Sequence, residues 1–106
     1  MSDLLRSQAD LLIIAVLQSG PAHGYSIIEE IKRRSDGQFD LPEGTVYPAL
    51  HRLEREGLLA SDWQQTEGRR RRVYRLTAQG LEAGRQRAAD WQRFARAMRA
   101  VTGAEA

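Results

Sequence analysis

Four consecutive arginines, Arg69 to Arg72, follow a Glu67-Gly68 pair, and upstream of them a helix-like segment offers Thr45, Tyr47, His51 and Arg52. These residue types share one chemistry, the holding of nucleic acid. A guanidinium grips phosphate through a planar fork of donors, where a lysine offers a solvated point charge. Arg52 can take a guanine edge in bidentate fashion and His51 can donate or accept, while Thr45 and Tyr47 suit phosphate oxygens. Plainer uses compete with these: Thr45 as a helix cap, the Tyr47 ring in packing, Arg55 paired with acidic neighbours on the helix surface. The arginine run itself can serve as a charged strand edge that resists pairing with other chains. Beside a helix-turn-helix, phosphate contact is the better reading, because neutralised phosphates release counterions and add affinity. Side chains alternate along a strand, so Arg71 faces away from Arg70 and Arg72, and two or three of the four arginines are expected to touch DNA.

Other chemistries find no constellation. The chain has no cysteine, which excludes disulfides and thiolate metal sites. His23 and His51 belong to no His-x-x-x-His or His-Glu-x-x-His pair, and no Ser, His and acid fall on a nucleophile turn. A glycine-rich phosphate loop is missing as well. His23, between Ala22 and Gly24, reads as a turn residue or cap. The expectation is a protein that is not an enzyme and uses no cofactor and no metal.

Apolar spacing defines the elements that must position the arginines. From about Leu4 to Ser19 nothing breaks a helix, and Gly20-Pro21 stops it. Leu11 to Leu17 is apolar on every side, which calls for burial on two faces, one in the chain's own domain and one, through Leu12 and Val16, against a partner. A second helix runs from near Gly24 to Gly37 with Tyr25, Ile27, Ile28 and Ile31 inward. The third occupies about Glu43 to Glu56, seamed by Val46, Ala49 or Leu50, and Leu53, and closed by Gly57. Pro48 disturbs it: either the helix begins at Thr45 as N-cap, or it begins nearer Pro42 and bends. Leu58 to Gln65 and Arg70 to Leu76 frame a turn at Thr66-Glu67-Gly68-Arg69, a β-hairpin with Leu59, Trp63, Tyr74 and Leu76 covering the helices.

Thr77 is the N-cap expected for a last helix from about Ala78 to Val101, roughly 36 Å long. Its stripe of Leu81, Gly84, Ala88, Trp91, Ala95 and Met98, flanked by Phe94 and Val101, has the spacing of a helix-pair seam. A two-fold dimer buries both this seam and the apolar first helix. The expected fold is therefore mainly α with a small β-hairpin: a winged helix-turn-helix over residues 1–77, and a dimerisation helix over residues 78–106 in the same compact unit. Residues 1–19 are expected to share the dimer interface.

The totals agree with one folded domain: 106 residues, 42% of them hydrophobic, and a formal net charge of only +2. That small net charge conceals a bias, since fifteen of sixteen basic residues are arginine, a preference that a GC-rich genome also produces. The longest apolar run falls far short of the roughly 20 residues that span a bilayer, and Asp3 and Arg6 do not fit a secretory leader. A cytoplasmic location without membrane contact is expected.

Three ordered blocks, HGYSIIEEI, GTVYPALHRLEREGLL and GRRRRVYRLTAQG, resemble the PadR-type transcriptional regulators over nearly the whole chain. The single long final helix resembles the short subfamily. The resemblance implies a homodimeric winged-helix repressor with the third helix in the major groove and the wing on the flanking backbone or minor groove. It implies a DNA face of Thr45, Tyr47, Pro48, His51 and Arg52, with Gly68, Arg69, Arg70 and Arg71 in the wing. Some members bind small aromatic effectors between subunits, and Trp91, amid Ala88, Phe94, Ala95 and Met98, sits where an aromatic of the last helix lines that cavity. The expected function is a dimeric regulator of a palindromic double-stranded DNA operator. The alternative is a winged-helix adaptor for another protein, which has no need of Arg69 to Arg72.

Overall fold

In the computed structural model, which describes residues 3–104 and the side chains from residue 8 onward save that at position 66, seven elements follow in order. They are α1 (Asp3–Leu17), β1 (Ala22–His23), α2 (Gly24–Arg34), α3 (Glu43–Arg55), β2 (Leu59–Thr66), β3 (Arg69–Leu76) and α4 (Ala78–Thr102). The outermost residues of the two expected segments, 1–2 and 105–106, lie outside the described residues.

The apolar run of α1 makes it the hub, packed against α2, α3, α4 and β3. Ile13, Ile14, Val16 and Leu17 are buried within the chain, together with Ile27 and Ile31 of α2 and Val46, Leu50 and Leu53 of α3. Val16 is a correction: its surface belongs to the chain's own core and is not available to a partner, whereas Leu12 stays half-buried. On α2 the inward stripe is Gly24, Ile27, Ile28 and Ile31. Tyr25 lies off that stripe and is 58% exposed, so its expected place in the core is also corrected.

Helix α3 starts beyond Pro42 as N-cap, not at Thr45, which leaves Pro48 inside the helix. Pro48 has no N–H to give the Gly44 carbonyl, so one rung of the ladder is missing there. The helix closes with Gly57 at φ 81, the Leu58 N–H reaching the Leu53 carbonyl and the Gly57 N–H reaching that of Glu54, both at 3.0 Å. This paired pattern satisfies two carbonyls that would otherwise be orphaned.

The wing is a three-stranded antiparallel sheet in the order β1-β3-β2. Glu67 and Gly68, both with positive φ, make the two-residue turn whose twist suits a hairpin. That turn sets the register Thr66↔Arg69, Trp63↔Arg72, Ser61↔Tyr74 and Leu59↔Leu76. Leu59 and Tyr74 are buried on the helices, as expected. Trp63 shares their face by alternation but is 54% exposed, because the hairpin extends beyond the helices it covers. Strand β1, two residues pairing with Val73 and Tyr74, has no periodic signature and was not anticipated.

Thr77 caps α4 as expected: its Oγ1 accepts from the Gly80 N–H at 3.0 Å and donates to the Gly57 carbonyl at 2.7 Å. The near end of α4 then lies on α1 so closely that a Cβ on Gly84 would fall 2.6 Å from Ile14 Cγ2. Farther along the helix, Trp91, Phe94, Met98 and Val101 stand exposed. The molecule is drawn out to 53 × 28 × 23 Å. Among the described residues no helix is long and apolar enough to cross a membrane.

Candidate nucleic-acid interface

A cleft of about 590 Å³ opens between the start of α2, the outer face of α3 and the wing. Tyr47 and His51 line it from α3, Trp63 and Arg69 to Arg72 from the wing, and Tyr25 from α2. The amphipathic pattern of α3 sends Val46, Ala49, Leu50 and Leu53 inward, which leaves Pro48, His51 and Arg55 exposed at helical spacing on the opposite face. Tyr47 is half-buried, its ring seated against Gly24 so tightly that a Cβ there would lie 2.5 Å from it. Thr45 is half-buried in the first turn and lies outside the cleft lining.

Arg52 leaves this group. Its fork donates to Asp10 of α1 through Nη1 and Nη2 at 2.9 and 2.8 Å, and Glu56 lies 3.8 Å away. These bonds, with Asp10 foremost, push the guanidinium pKa up. Asp10 also lies 3.6 Å from Arg87 of α4, so one carboxylate joins α3, α1 and α4.

The four wing arginines divide as alternation requires. Arg70 and Arg72 share one face of the sheet with Trp63, their guanidinium carbons 4.8 and 5.3 Å from the ring centroid. Arg72 is fastened: Nε donates to Ser61 Oγ at 2.8 Å, Ser61 donates to Glu54 at 2.7 Å, and Arg72 lies 3.7 Å from the same carboxylate. On the other face Arg71 Nη1 is 2.7 Å from His23 Nε2. His23 is the N-cap of α2, with Nδ1 facing the Ser26 N–H at 3.4 Å. Burial first, and the Arg71 charge second, hold the His23 pKa below its ordinary value. Arg69, Arg70 and the turn residue Gly68 are exposed, and neither arginine has a hydrogen bond or ion pair among the described residues. An exposed helix face and two uncommitted guanidinium groups thus border one concave surface.

The second grouping lies at the junction of α1 and α4. Trp91 and Phe94, ring centroids 5.8 Å apart, border a hollow of about 520 Å³ with Leu11, Asp10 and Arg87. Along α4, Ala88 and Met98 are exposed and Ala95 is half-buried.

A model of the transcriptional regulator PadR-like family matches residues 13–86. The chain belongs to the PadR-like family. Members of this family are DNA-binding transcriptional regulators. Over 83 residues the chain is 37% identical to the transcriptional regulator Rv3488 of Mycobacterium tuberculosis, a stretch covering 78% of this chain and 75% of that protein. Its fold is similar to that of a transcriptional regulator from Clostridium thermocellum, with TM-score 0.85, 31% identity, and coverage of 92% of this chain and 95% of the other. A PadR family transcription regulator from Clostridium difficile gives TM-score 0.78 at 31% identity, covering 90% and 98% of the two chains.

Within this PadR-like framework, sequence reasoning gave other places to three groups, Trp63 and Tyr25 in the cleft lining and Arg55 on the outer face of α3. Arg55 has no acidic partner among the described residues and shares the outer face of α3 with Pro48 and His51, a match visible in the spacing 48, 51, 55. Trp63 was assigned to the core, although a two-residue turn at Glu67-Gly68 already places it opposite Arg72 and diagonal to Arg70. Tyr25 had no such signal, since its exposure depends on how α2 meets the wing.

Proposed function

We propose that this PadR-like protein is a cytoplasmic homodimeric repressor that reads a palindromic operator and releases it when a small aromatic effector binds between the subunits. The observation that carries the reading is the meeting, at one cleft, of the outer face of α3 with the uncommitted arginines of the wing. Helix α3 enters the major groove with Tyr47, Pro48, His51 and Arg55 toward the DNA and Thr45 near the backbone at its N-terminal end. Arg69 and Arg70 take phosphates on the flanking turn, with Gly68 letting the strand tip approach closely. Arg52, held by Asp10, acts as a strut for α3.

Support for the dimer comes from the far half of α4, where Trp91, Phe94 and Met98 form an apolar stripe that the chain itself leaves uncovered. The effector site we propose is the hollow beside Trp91, and its border of Asp10 and Arg87 supports that choice. A ligand there that favours one arrangement of Arg52, Asp10 and Arg87 biases the setting of α3 by its differential affinity for the two states.

Selection of duplexes from a random library by the purified protein tests the reading. The expected product has two inverted half-sites about one helical turn, roughly 10 base pairs, apart. Its affinity should fall steeply with added salt. Failure to enrich any sequence, with weak and equal binding to all duplexes, would reduce the wing to a basic surface and leave the adaptor as the better account.

A further inference from the structure

We infer that Trp63 is a positioning residue for DNA binding, holding Arg70 ready as a clamp for a backbone phosphate; the inference rests on the reading of the cleft as a duplex interface. A tryptophan 54% exposed near the end of a hairpin contributes little to the core, yet two cross-strand neighbours on that face bring guanidinium groups over its ring. They differ in kind. Arg72 is anchored to α3 through Ser61 and Glu54, so its place against the indole is fixed from the core outward. Arg70 is fixed only by the indole, at 4.8 Å, with no hydrogen bond or ion pair among the described residues.

The geometry suits an anion. A guanidinium held over a ring by its charge spends no hydrogen bond on it, which leaves the donors of its fork for a bidentate phosphate oxygen pair. A carboxylate in place of Trp63 would also orient Arg70 but would compete with the phosphate for those donors. The indole orients without competing. Because Arg70 has already lost part of its rotamer freedom in the free protein, less is lost on binding. The ordered path therefore runs from α3 through Glu54, Ser61 and Arg72 to Trp63, and ends at Arg70. The ligand is the sugar-phosphate backbone of duplex DNA beside the groove that α3 occupies.

A double-variant cycle on the full chain tests this, with the duplex selected as above and affinities measured across several salt concentrations. Arg70→Ala should weaken binding and reduce the salt slope by about one phosphate contact per wing. Trp63→Ala should weaken binding by roughly 5- to 30-fold for a dimer with two wings, given about 2- to 5-fold for each exposed stack. Its salt slope should stay near that of the parent, since Arg70 still reaches its phosphate. Trp63→Phe should recover most of the loss, and adding Trp63→Ala to Arg70→Ala should cost nothing further. Urea midpoints measured alongside check folding, and a half-exposed Trp63 leaves no core cavity when shortened. Unchanged affinity in Trp63→Ala, or losses in the two single variants that simply multiply, would overturn the inference while leaving the interface intact. Unchanged affinity in Arg70→Ala would overturn the wing reading and the inference with it.

Discussion

Two donors face the His23 ring, the Ser26 N–H at Nδ1 and Arg71 2.7 Å from Nε2, with the Ser26 hydroxyl 3.0 Å from Nε2 as well. The neutral ring keeps one nitrogen free to accept from these donors; a second ring proton removes that acceptor and adds charge beside Arg71. The unfolded chain takes up that proton near the ordinary value of 6.5, the folded chain only at lower pH. The unfolded state therefore binds more protons in that interval, and the His23 contribution to stability is lost as pH falls below about 6.5. His23→Asn keeps a capping oxygen for α2 but cannot titrate, so its urea midpoint should change less between neutral and mildly acidic buffer than that of the parent. Asp10 is the other residue with several obligations. Its side chain is only 13% exposed and serves Arg52 and Arg87. Asp10→Ala is expected to cost about 1–2 kcal/mol by urea denaturation, less than for a fully buried pair because Arg52 is 42% exposed. Arg52→Ala, which leaves the Asp10–Arg87 pair in place, should cost less than Asp10→Ala, and the double variant no more than Asp10→Ala alone, because the Arg52–Asp10 bonds can be lost only once.

The elements whose limits are set locally were legible. Gly57 closes α3, Thr77 caps α4 and Glu67-Gly68 turns the hairpin, because each depends on a few neighbouring residues. What lies inside and what lies outside at the wing was not legible in the same way. Alternation gives Trp63 its correct face, but only the three-dimensional overlap of hairpin and helices shows that the face past Ser61 lies over a cleft. The same holds for Val16, whose second apolar face meets the chain's own helices. Helix α3 poses its own test. Pro48 interrupts the ladder, and Pro48→Ala restores the N–H that Gly44 lacks. A gain of about 1–3 kcal/mol in urea denaturation is expected. Loss of operator affinity in that more stable variant would mark the proline ring as a DNA contact retained at the expense of the helix.

At the scale of the whole molecule, the near end of α4 belongs to the winged domain and the far end to another surface. Phe94→Glu with Met98→Glu places charge in the exposed stripe without touching the core. Sedimentation equilibrium should show a monomer with unchanged far-ultraviolet circular dichroism. Operator affinity should drop by about 100-fold or more, since two half-sites no longer share one tethered ligand. The Thr77 hydroxyl, bonded both to the Gly57 carbonyl and to the Gly80 N–H, ties the end of α3 to the start of α4. From there α4 runs for about 37 Å, so a difference of roughly 5° in its direction displaces its far end by about 3 Å, nearly one base-pair step. In the dimer we propose, α4 is in this sense a lever: a change of direction too small to alter either Thr77 bond is magnified along the helix into a change of reach between two DNA-reading heads.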